Sequence, residues 1–526
     1  MEPPCHVNFI EMRKNIFIIA SVLLGLSAAS CKKSFIELSP QDQASSATFY
    51  QTEAQFRQAL VAAYTPLRDL LTNDFYTAEM RSDNTHYQYY RSNRGTAYVY
   101  RENIADFTDQ AIDDYSNAVY FHPYRGISRA NIILQRIAAA NLSDTARNTI
   151  EGQAKFLRAF NYFKLVRYFG AVPLYLKEID NADDAFLARS PADQVYAQII
   201  ADAKDAISML LPPAKFPQTG EATRGSATML LAEVYMTQKR YAEAEALLQT
   251  LPAMGYALLP DYASVFSTSN KNSRESIFEV QYMQGLQGGQ QSNFIYLFLP
   301  RCKNTALITY GVATNNTGTG GWNTPTQDMI NAYEPNDKRE DASIGVAEGT
   351  YDASDLFTLS AYKSILNYTP AAGKTGVPFI KKYLNPHVNP NNTDDDWTIY
   401  RYADALLSLA EAQNEQGRPG DALIGLNQVR ARAGLPAVTS TDQNTLRDTI
   451  AHERRVELAF ENHRWHDLVR TGKAIDVMNA YGVNLKQQYS YLTPDSYNVT
   501  TDRLLFPIPK SEILTNPTLT QNPGYQ

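Results

Sequence analysis

Arg454, Glu457, Glu461 and Arg464 recur at i, i+3, i+7 and i+10, a spacing that places all four on one face of a helix. Two carboxylates so placed are the raw material of glycoside hydrolysis. That chemistry needs a pair flanking the scissile bond, about 5 Å apart for retention and wider for inversion. The adjacent arginines argue against it, because they keep both carboxylates ionised while a general acid must hold its proton. The four read as a ladder of structural ion pairs. His463 and His466 stand three apart in the same stretch, a spacing open to metal binding. Zinc, however, needs further ligands and an outer shell that orients them, and the chain has neither an HExxH pattern nor a cysteine cluster. Both histidines, with Trp465 beside them, read as helix packing. Asp394-Asp395-Asp396 offers the oxygens calcium takes, without the alternate spacing around a glycine of a calcium loop. It reads as a solvated acidic turn, and no cofactor is expected beyond, at most, a structural calcium. GxSxG, Walker and dinucleotide motifs are missing from the chain, so no catalytic residue is assigned.

Residue types that bind without catalysing are better represented. One cluster is Arg81, Asp83, Asn84, Tyr87, Tyr89 and Tyr90, followed by Tyr98 and Tyr100. A second is Trp322 with Asn323, in a Gly- and Asn-rich stretch, and Tyr282 upstream. Sugar recognition needs a flat aromatic face for the apolar side of the ring, and amide, carboxylate or guanidinium groups for the hydroxyls. The expected ligand-binding residues are Trp322, Asn323, Tyr282, Arg81, Asp83, Asn84, Tyr87 and Tyr90, with Trp322 foremost. The plainer reading of each is a loop aromatic or polar group packed on a helical scaffold. Composition leaves room for both, since 34 tyrosines accompany only 3 tryptophans.

Arg13 and Lys14 precede an apolar run from Ile16 to Leu26, and Leu26-Ser-Ala-Ala-Ser-Cys31 follows. Basic, apolar, small is the order of a secretory signal. The run is too short for a bilayer span, which needs about 20 residues. A cysteine at the cleavage point fits a bacterial lipobox, with residues 1–30 removed and Cys31 acylated. Met12 makes a better start than Met1, because Pro3, Pro4, Glu2 and Glu11 suit a signal poorly. One acyl chain anchors only marginally, and stable attachment takes two or more. With Cys5 removed and Cys31 acylated, Cys302 is left alone and no intramolecular disulfide is available. The net charge of −7 argues against a general nucleic-acid binder.

The elements that must position these residues are mostly helical. Residues 31–48 read as a polar tether. Helical spacing begins at Thr52 and carries Phe56, Leu60, Ala63 and Leu67. Residues 74–114 read as loop, with helix resuming at Ala118. Gln153–Tyr168 forms a strong helix that Gly170 stops, and another starts near Pro191. Leu231–Ala244 aligns without gaps on Leu409–Ala422, each a helix, a tight turn and a helix, similar to a tetratricopeptide unit. Between them, about 255–398, lies a loop-rich insertion with a short strand at Ile277–Tyr282. Long loops of this kind are usually functional. Helix returns at Arg401 and at Thr449–Leu468, and the chain finishes in Pro-rich extended turns.

Taken in order, several motifs resemble the SusD/RagB family of outer-membrane nutrient-binding lipoproteins of Bacteroidetes. They are Phe156-Leu-Arg-Ala-Phe-Asn-Tyr-Phe163, Tyr168-Phe-Gly-Ala-Val-Pro-Leu174, Tyr400-Arg-Tyr-Ala-Asp-Ala-Leu-Leu407, Leu426-Asn-Gln-Val-Arg-Ala-Arg-Ala-Gly434, Glu453-Arg-Arg-Val-Glu-Leu-Ala-Phe-Glu461, Arg464-Trp-His-Asp-Leu468, Arg470-Thr-Gly472, Phe506-Pro-Ile-Pro509 and Gln521-Asn-Pro-Gly-Tyr525. Singly they are weak; their order spans essentially the whole chain after Cys31. The resemblance implies a mainly α fold, tetratricopeptide-like helix pairs with a loop-rich irregular region packed on them. It implies one domain over 31–526, with an N-terminal half at about 31–240 and a C-terminal half at about 270–526. It further implies a non-enzymatic protein that binds oligosaccharide and delivers it to a TonB-dependent SusC-like porin, lipid-anchored on the exposed face of the outer membrane. In this family ligand contacts fall in the two clusters above. Lys32-Lys33 departs from the acidic residues that often follow the cysteine in surface-exported members. The alternatives are a peptide-binding, RagB-like uptake protein, a protein-interaction scaffold, and a surface glycosidase whose carboxylate pair the sequence does not supply.

Overall fold

The computed structural model describes residues 49–91, 94–285 and 289–525. The segment 1–30 expected as a signal, the expected acylation site Cys31 and the segment expected as a tether up to residue 48 lie outside the described residues. The chain is mainly helical. Helix α1 (Glu53–Ala78) begins with a reciprocal cap, the Thr52 side chain accepting from Gln55 N and the Gln55 side chain from the Thr52 backbone. It is followed by α2 (Thr96–Asp106), α3 (Asp114–Ile137), α4 (Asp144–Phe169), α5 (Ala192–Met209), α6 (Arg224–Thr237) and α7 (Tyr241–Leu248). α1 packs on α3, α3 on α4, α4 on α5, α5 on α6 and α6 on α7, so from α3 onward chain neighbours are spatial neighbours. α4 is the central element. From Gln153 onward nearly every residue is buried, and its polar ones are matched: Arg158 to Asp202 at 2.7 Å and Lys164 to Asp74 at 2.7 Å. Gly170, at φ 68°, ends it. Residues 96–106, expected as loop, form α2, and α3 starts four residues before Ala118, where the Asp113 carboxylate caps Tyr115 N and Ser116 N.

The internal repeat forms two helix pairs, α6–α7 and the later pair α11 (Tyr402–Glu415) and α12 (Pro419–Ala433). They pack on each other although 178 positions separate them, α11 touching both α6 and α7. Glu245 of α7 accepts from Gln416 Nε2 at 2.9 Å and pairs with Arg418. The aligned turn positions are Lys239 and Gly417, both left-handed at φ 58° and 74°. Lysine suffers a Cβ clash there that glycine does not. Lys239→Gly is therefore expected to raise stability by about 0.5–1 kcal/mol after the extra unfolded-state entropy of glycine is subtracted. Urea unfolding reads it, and a lower midpoint would contradict the assignment.

The insertion is less irregular than its composition suggests. Two-residue strands β1 (Thr85–His86) and β4 (Thr324–Pro325) pair with each other, and β2 (Ser276–Val280) pairs antiparallel with β8 (Trp397–Arg401). A four-stranded sheet runs β3–β6–β5–β7, built from Cys302–Lys303, Phe357–Ser364, Ile344–Tyr351 and Thr375–Ile380. It covers a core of its own, which includes Tyr296, Leu299, Phe357, Leu359 and Phe379. Glycine hides this sheet from pattern reading. At Gly349 a Cβ would lie 2.2 Å from Thr358 O, and the β5–β6 register shifts there. Short helices α8 (Phe294–Phe298), α9 (Gln327–Asn331) and α10 (Lys338–Ser343) complete this part.

The C-terminal region adds α13 (Gln443–Glu457), α14 (Arg464–Arg470), α15 (Ala474–Gln488) and α16 (Lys510–Thr515). The single helix expected at 449–468 is broken between Glu457 and Arg464. The buried Glu79 carboxylate accepts from Phe460 N and Asn462 N, each at 3.0 Å, and holds both residues at left-handed φ. Arg454, Glu457, Glu461 and Arg464 are ion-paired, though not with one another. Glu457 meets Arg401, Arg432 and Arg339; Glu461 meets Arg401 and Lys382; Arg454 meets Asp404 and Asp467; Arg464 meets Asp83. Burial raises the Glu457 carboxyl, but the Arg432, Arg401 and Arg339 guanidiniums outweigh it and hold the group well below the usual carboxylate range. A depressed carboxylate contributes stability that is present above its unfolded value, about 4.3, and lost as pH falls through the folded one. The advantage of the native protein over Glu457→Gln should thus be largest at neutral pH and shrink below about pH 4. Urea midpoints at both pH values test this, and an advantage that grows on acidification contradicts it. Among the described residues no helix is long and apolar enough to cross a membrane.

Candidate functional site

The β1–β4 pairing, Thr85 opposite Pro325 and His86 opposite Thr324, brings the loop after α1 beside the insertion. α15 and the segment 489–491 complete the walls of a cleft of about 1420 Å³. Four side chains form a stack there. Tyr89 lies flat on Tyr491, 3.9 Å between centroids and 2° between planes. Tyr491 stacks with Tyr489 at 5.2 Å, and Tyr489 with His86 at 5.6 Å. The Arg94 guanidinium sits 4.3 Å over Tyr89 and is itself fixed by two 2.6 Å bonds to Glu102.

His86 anchors the stack from below. Its Nε2 is 3.1 Å from the Tyr491 hydroxyl and its Nδ1 3.2 Å from that of Tyr497. Burial pushes its pKa down to about 3, so the ring is neutral, with one nitrogen donating and the other accepting. Either tautomer holds both tyrosines. Beside it the Tyr87 hydroxyl donates to Asp106 at 2.7 Å. Burial first, and the Asp106 charge second, push the Tyr87 phenol up, which keeps it a donor.

Much of the remaining lining is amide and carboxylate: Gln88, Gln327, Asn331, Asn484 and Gln488, with Asp328 and Asp355. Asp83 also borders the cleft, and Arg464 and Arg455 hold it. Burial raises its carboxyl, and the two guanidiniums together bring it below the ordinary value. Tyr90 is fixed at the rim, its hydroxyl donating to Gln88 at 2.5 Å and its ring lying 4.1 Å from the Arg301 guanidinium. Gly321 allows that placement, at φ 87° with a hypothetical Cβ 2.6 Å from the Tyr90 hydroxyl.

Of the eight residues expected to bind ligand, the structure brings Asp83, Tyr87 and Tyr90 to the lining of this cleft, where each is itself largely buried. The other five lie in the interior away from it. Trp322 is 2% exposed, with Tyr76 edge-on at 5.7 Å, Tyr98 at 5.5 Å and the Arg101 guanidinium at 4.8 Å, so no face of its ring is open. Asn323 accepts from the Thr85 hydroxyl at 2.5 Å. Tyr282 packs against Phe294 and donates to Arg68 O at 3.2 Å. Arg81 is sandwiched between Phe107 and Phe506 at 4.3 Å each, pairs with Asp109 at 2.7 Å, and donates to Arg503 O, tying the chain's two ends together. Asn84 donates to Glu79 and accepts from Arg455.

Other candidates are structural in their surroundings. Glu457 and Glu461 are buried among guanidiniums and an ammonium. His466 is buried against Tyr168, and burial holds its pKa well below the usual value. Trp465 is buried as well. The aspartate run is not a solvated turn. Asp394 accepts from Gln284 N at 2.6 Å, Asp395 from Asn385 at 2.6 Å, and Asp396 from Tyr282 N at 2.8 Å while pairing with Lys271 at 2.9 Å. These groups fasten the 282–285 and 385 segments together, which is why the aspartates are turned inward.

Sequence reading missed the far side of the cleft. Gln488-Tyr489-Ser490-Tyr491 alternates an amide, rings and a hydroxyl at the C-terminal end of α15. That is the same signal that marked residues 81–90, placed in a segment read as extended turns.

Residues 274–525 match the model of the SusD family, and residues 34–236 match a family described as starch-binding, associating with outer membrane. SusD-like protein P38 of Formosa agariphila is 28% identical over 543 aligned positions, covering 97% of this chain and 99% of its own length. The starch-binding protein SusD of Bacteroides thetaiotaomicron is 24% identical over 453 positions, 78% of each chain. A solved structure described as a laminarin-binding SusD-like protein superposes with a TM-score of 0.72 at 26% identity, covering 90% of this chain and all of its own.

Proposed function

We propose, from the premise that this chain belongs to the SusD family, that it binds an oligosaccharide in the tyrosine cleft and passes it to a SusC-like TonB-dependent porin. The observation that carries this reading is the cleft itself, a stack of Tyr89, Tyr491 and Tyr489 in a cavity otherwise rich in amides. Aromatic faces take the apolar side of a pyranose ring, and amides take its hydroxyls. The laminarin-binding and starch-binding descriptions of two relatives support a glycan as the ligand class.

The role is binding rather than catalysis. The carboxylates best spaced for hydrolysis, Glu457 and Glu461, are buried and held ionised, which suits neither access nor general-acid chemistry. Anchoring at Cys31 places the protein at the outer membrane on its exposed face, and residues 31–48 tether it over the porin. Glycan-array screening of the chain from residue 32 onward tests the ligand class. Binding of peptides and of no glycan would move the reading to a peptide-uptake protein. Co-purification with a porin, lost on Cys31→Ser in cells, tests the delivery step.

A further inference from the structure

A second cavity, of about 540 Å³, opens between α10, the turn 305–311, strand β6 and the segment 381–385. It shares no lining residue with the tyrosine cleft. Its volume falls within the range of about 300–1,000 Å³ typical of small-ligand sites. Two rings stand in its lining, Tyr310 at 58% and Tyr362 at 36% exposure. Both are held there. Tyr310 sits at φ 53°, a left-handed backbone that bulky side chains rarely adopt. Tyr362 lies over Gly345, where a Cβ would come within 2.9 Å of the ring, and leans on Phe379 at 5.9 Å.

The charges lining this cavity are mostly positive. Lys382 is consumed by Glu461. Lys381 and Asp341 form a pair at 3.0 Å. Lys338 is exposed, its stem running over Gly434, and no ion pair or hydrogen bond engages its ammonium among the described residues. The cavity therefore offers two tyrosine rings, two paired lysines, the Asp341 carboxylate bound to one of them, and the unpaired Lys338 ammonium. An ammonium of this kind acts as a point charge for an anionic group.

We propose that this cavity is a second saccharide site, which takes a sugar residue bearing a carboxylate. The faces of Tyr310 and Tyr362 receive the ring, and the Lys338 ammonium receives the carboxylate. The site is independent of the tyrosine cleft and requires nothing of it.

Calorimetric or NMR titration of the full chain tests this with cellobiouronate and digalacturonate as probes and cellobiose as the neutral comparator. The acidic disaccharides should bind with a Kd of about 1 mM, more weakly as salt rises. Lys338→Glu and Tyr310→Ala should each cost about tenfold or more, while Lys338→Arg leaves the affinity unchanged. Lys338 is exposed and unpaired, so its variants should keep the native unfolding midpoint, which is measured alongside. Three results would overturn the proposal: cellobiose binding that Tyr310→Ala and Lys338→Glu weaken as much as they weaken cellobiouronate, acidic-disaccharide affinity lost on Tyr491→Ala but kept in Tyr310→Ala and Lys338→Glu, or no binding of either acidic disaccharide at about 10 mM.

Discussion

Replacing Tyr491 with alanine should lower glycan affinity by about 30-fold or more, roughly 2 kcal/mol, with little change in global stability. Tyr491 is the middle ring of the stack, 3.9 Å from Tyr89 and 5.2 Å from Tyr489. Those neighbours take its faces, so its removal acts by leaving them free to re-orient and breaking up the platform the stack presents. It also unties the hydroxyl bond to His86 that fixes the stack to the cleft floor. Tyr491→Phe separates the two contributions. It keeps the ring and loses only the hydrogen bond, so its loss should be several-fold smaller, in line with a net value of about 1 kcal/mol for one neutral bond. Isothermal titration against laminarin, or against the best array ligand, reads both. Equal losses for alanine and phenylalanine would mean that the hydroxyl rather than the ring's place in the stack carries the effect.

The second large effect concerns the scaffold. Arg401 is 1% exposed and reaches three carboxylates, Glu275 at 3.2 Å, Glu457, and Glu461 at 2.7 Å, as well as the Glu457 carbonyl. It leads from β8 into α11, so it joins the two-stranded ribbon, the internal repeat and the turn after α13. Arg401→Met keeps the stem and removes the charge, leaving those carboxylates buried with fewer partners. The expected cost is about 3–5 kcal/mol, the range found when one member of a buried ion pair is removed. Chemical unfolding measures it. A loss below about 1 kcal/mol would place this network among weak surface pairs. Glycan binding by the folded fraction should be unaffected, because no cleft residue touches Arg401.

Helical periodicity made most of the fold legible. The apolar stripe of α4, the helix start at Thr52 and the paired units at 231–244 and 409–422 all rest on local spacing, and local spacing is what a sequence displays. The elements it hid depend on distant partners. The break after Glu457 is imposed by Glu79, which accepts from Phe460 N, 381 positions along the chain. The four-stranded sheet carries glycine where alternating hydrophobics would have announced it, because the approach of Thr358 O to Gly349 leaves no room for a side chain.

The site was legible in part for the same reason. Residue type marks the chemistry a side chain can do, not whether it faces solvent. Trp322 has the right type, and its loop folds inward so that Tyr76, Tyr98 and Arg101 enclose it. Arg81 and Asn84 lie within six residues of Tyr87, yet their charges and amides are spent on Asp109 and Glu79. Tyr489 and Tyr491 are separated from Tyr89 by some 400 positions, and only the packing of α15 shows that they meet.

Hydrogen–deuterium exchange of the chain with and without a bound oligosaccharide tests the central claim most directly. The account predicts that slowed exchange is concentrated in residues 86–91, 327–331 and 484–491, segments that line the cleft around the tyrosine stack, and that Tyr491→Ala abolishes it. Protection centred instead on 314–323 around Trp322, with the cleft segments unchanged, would contradict it.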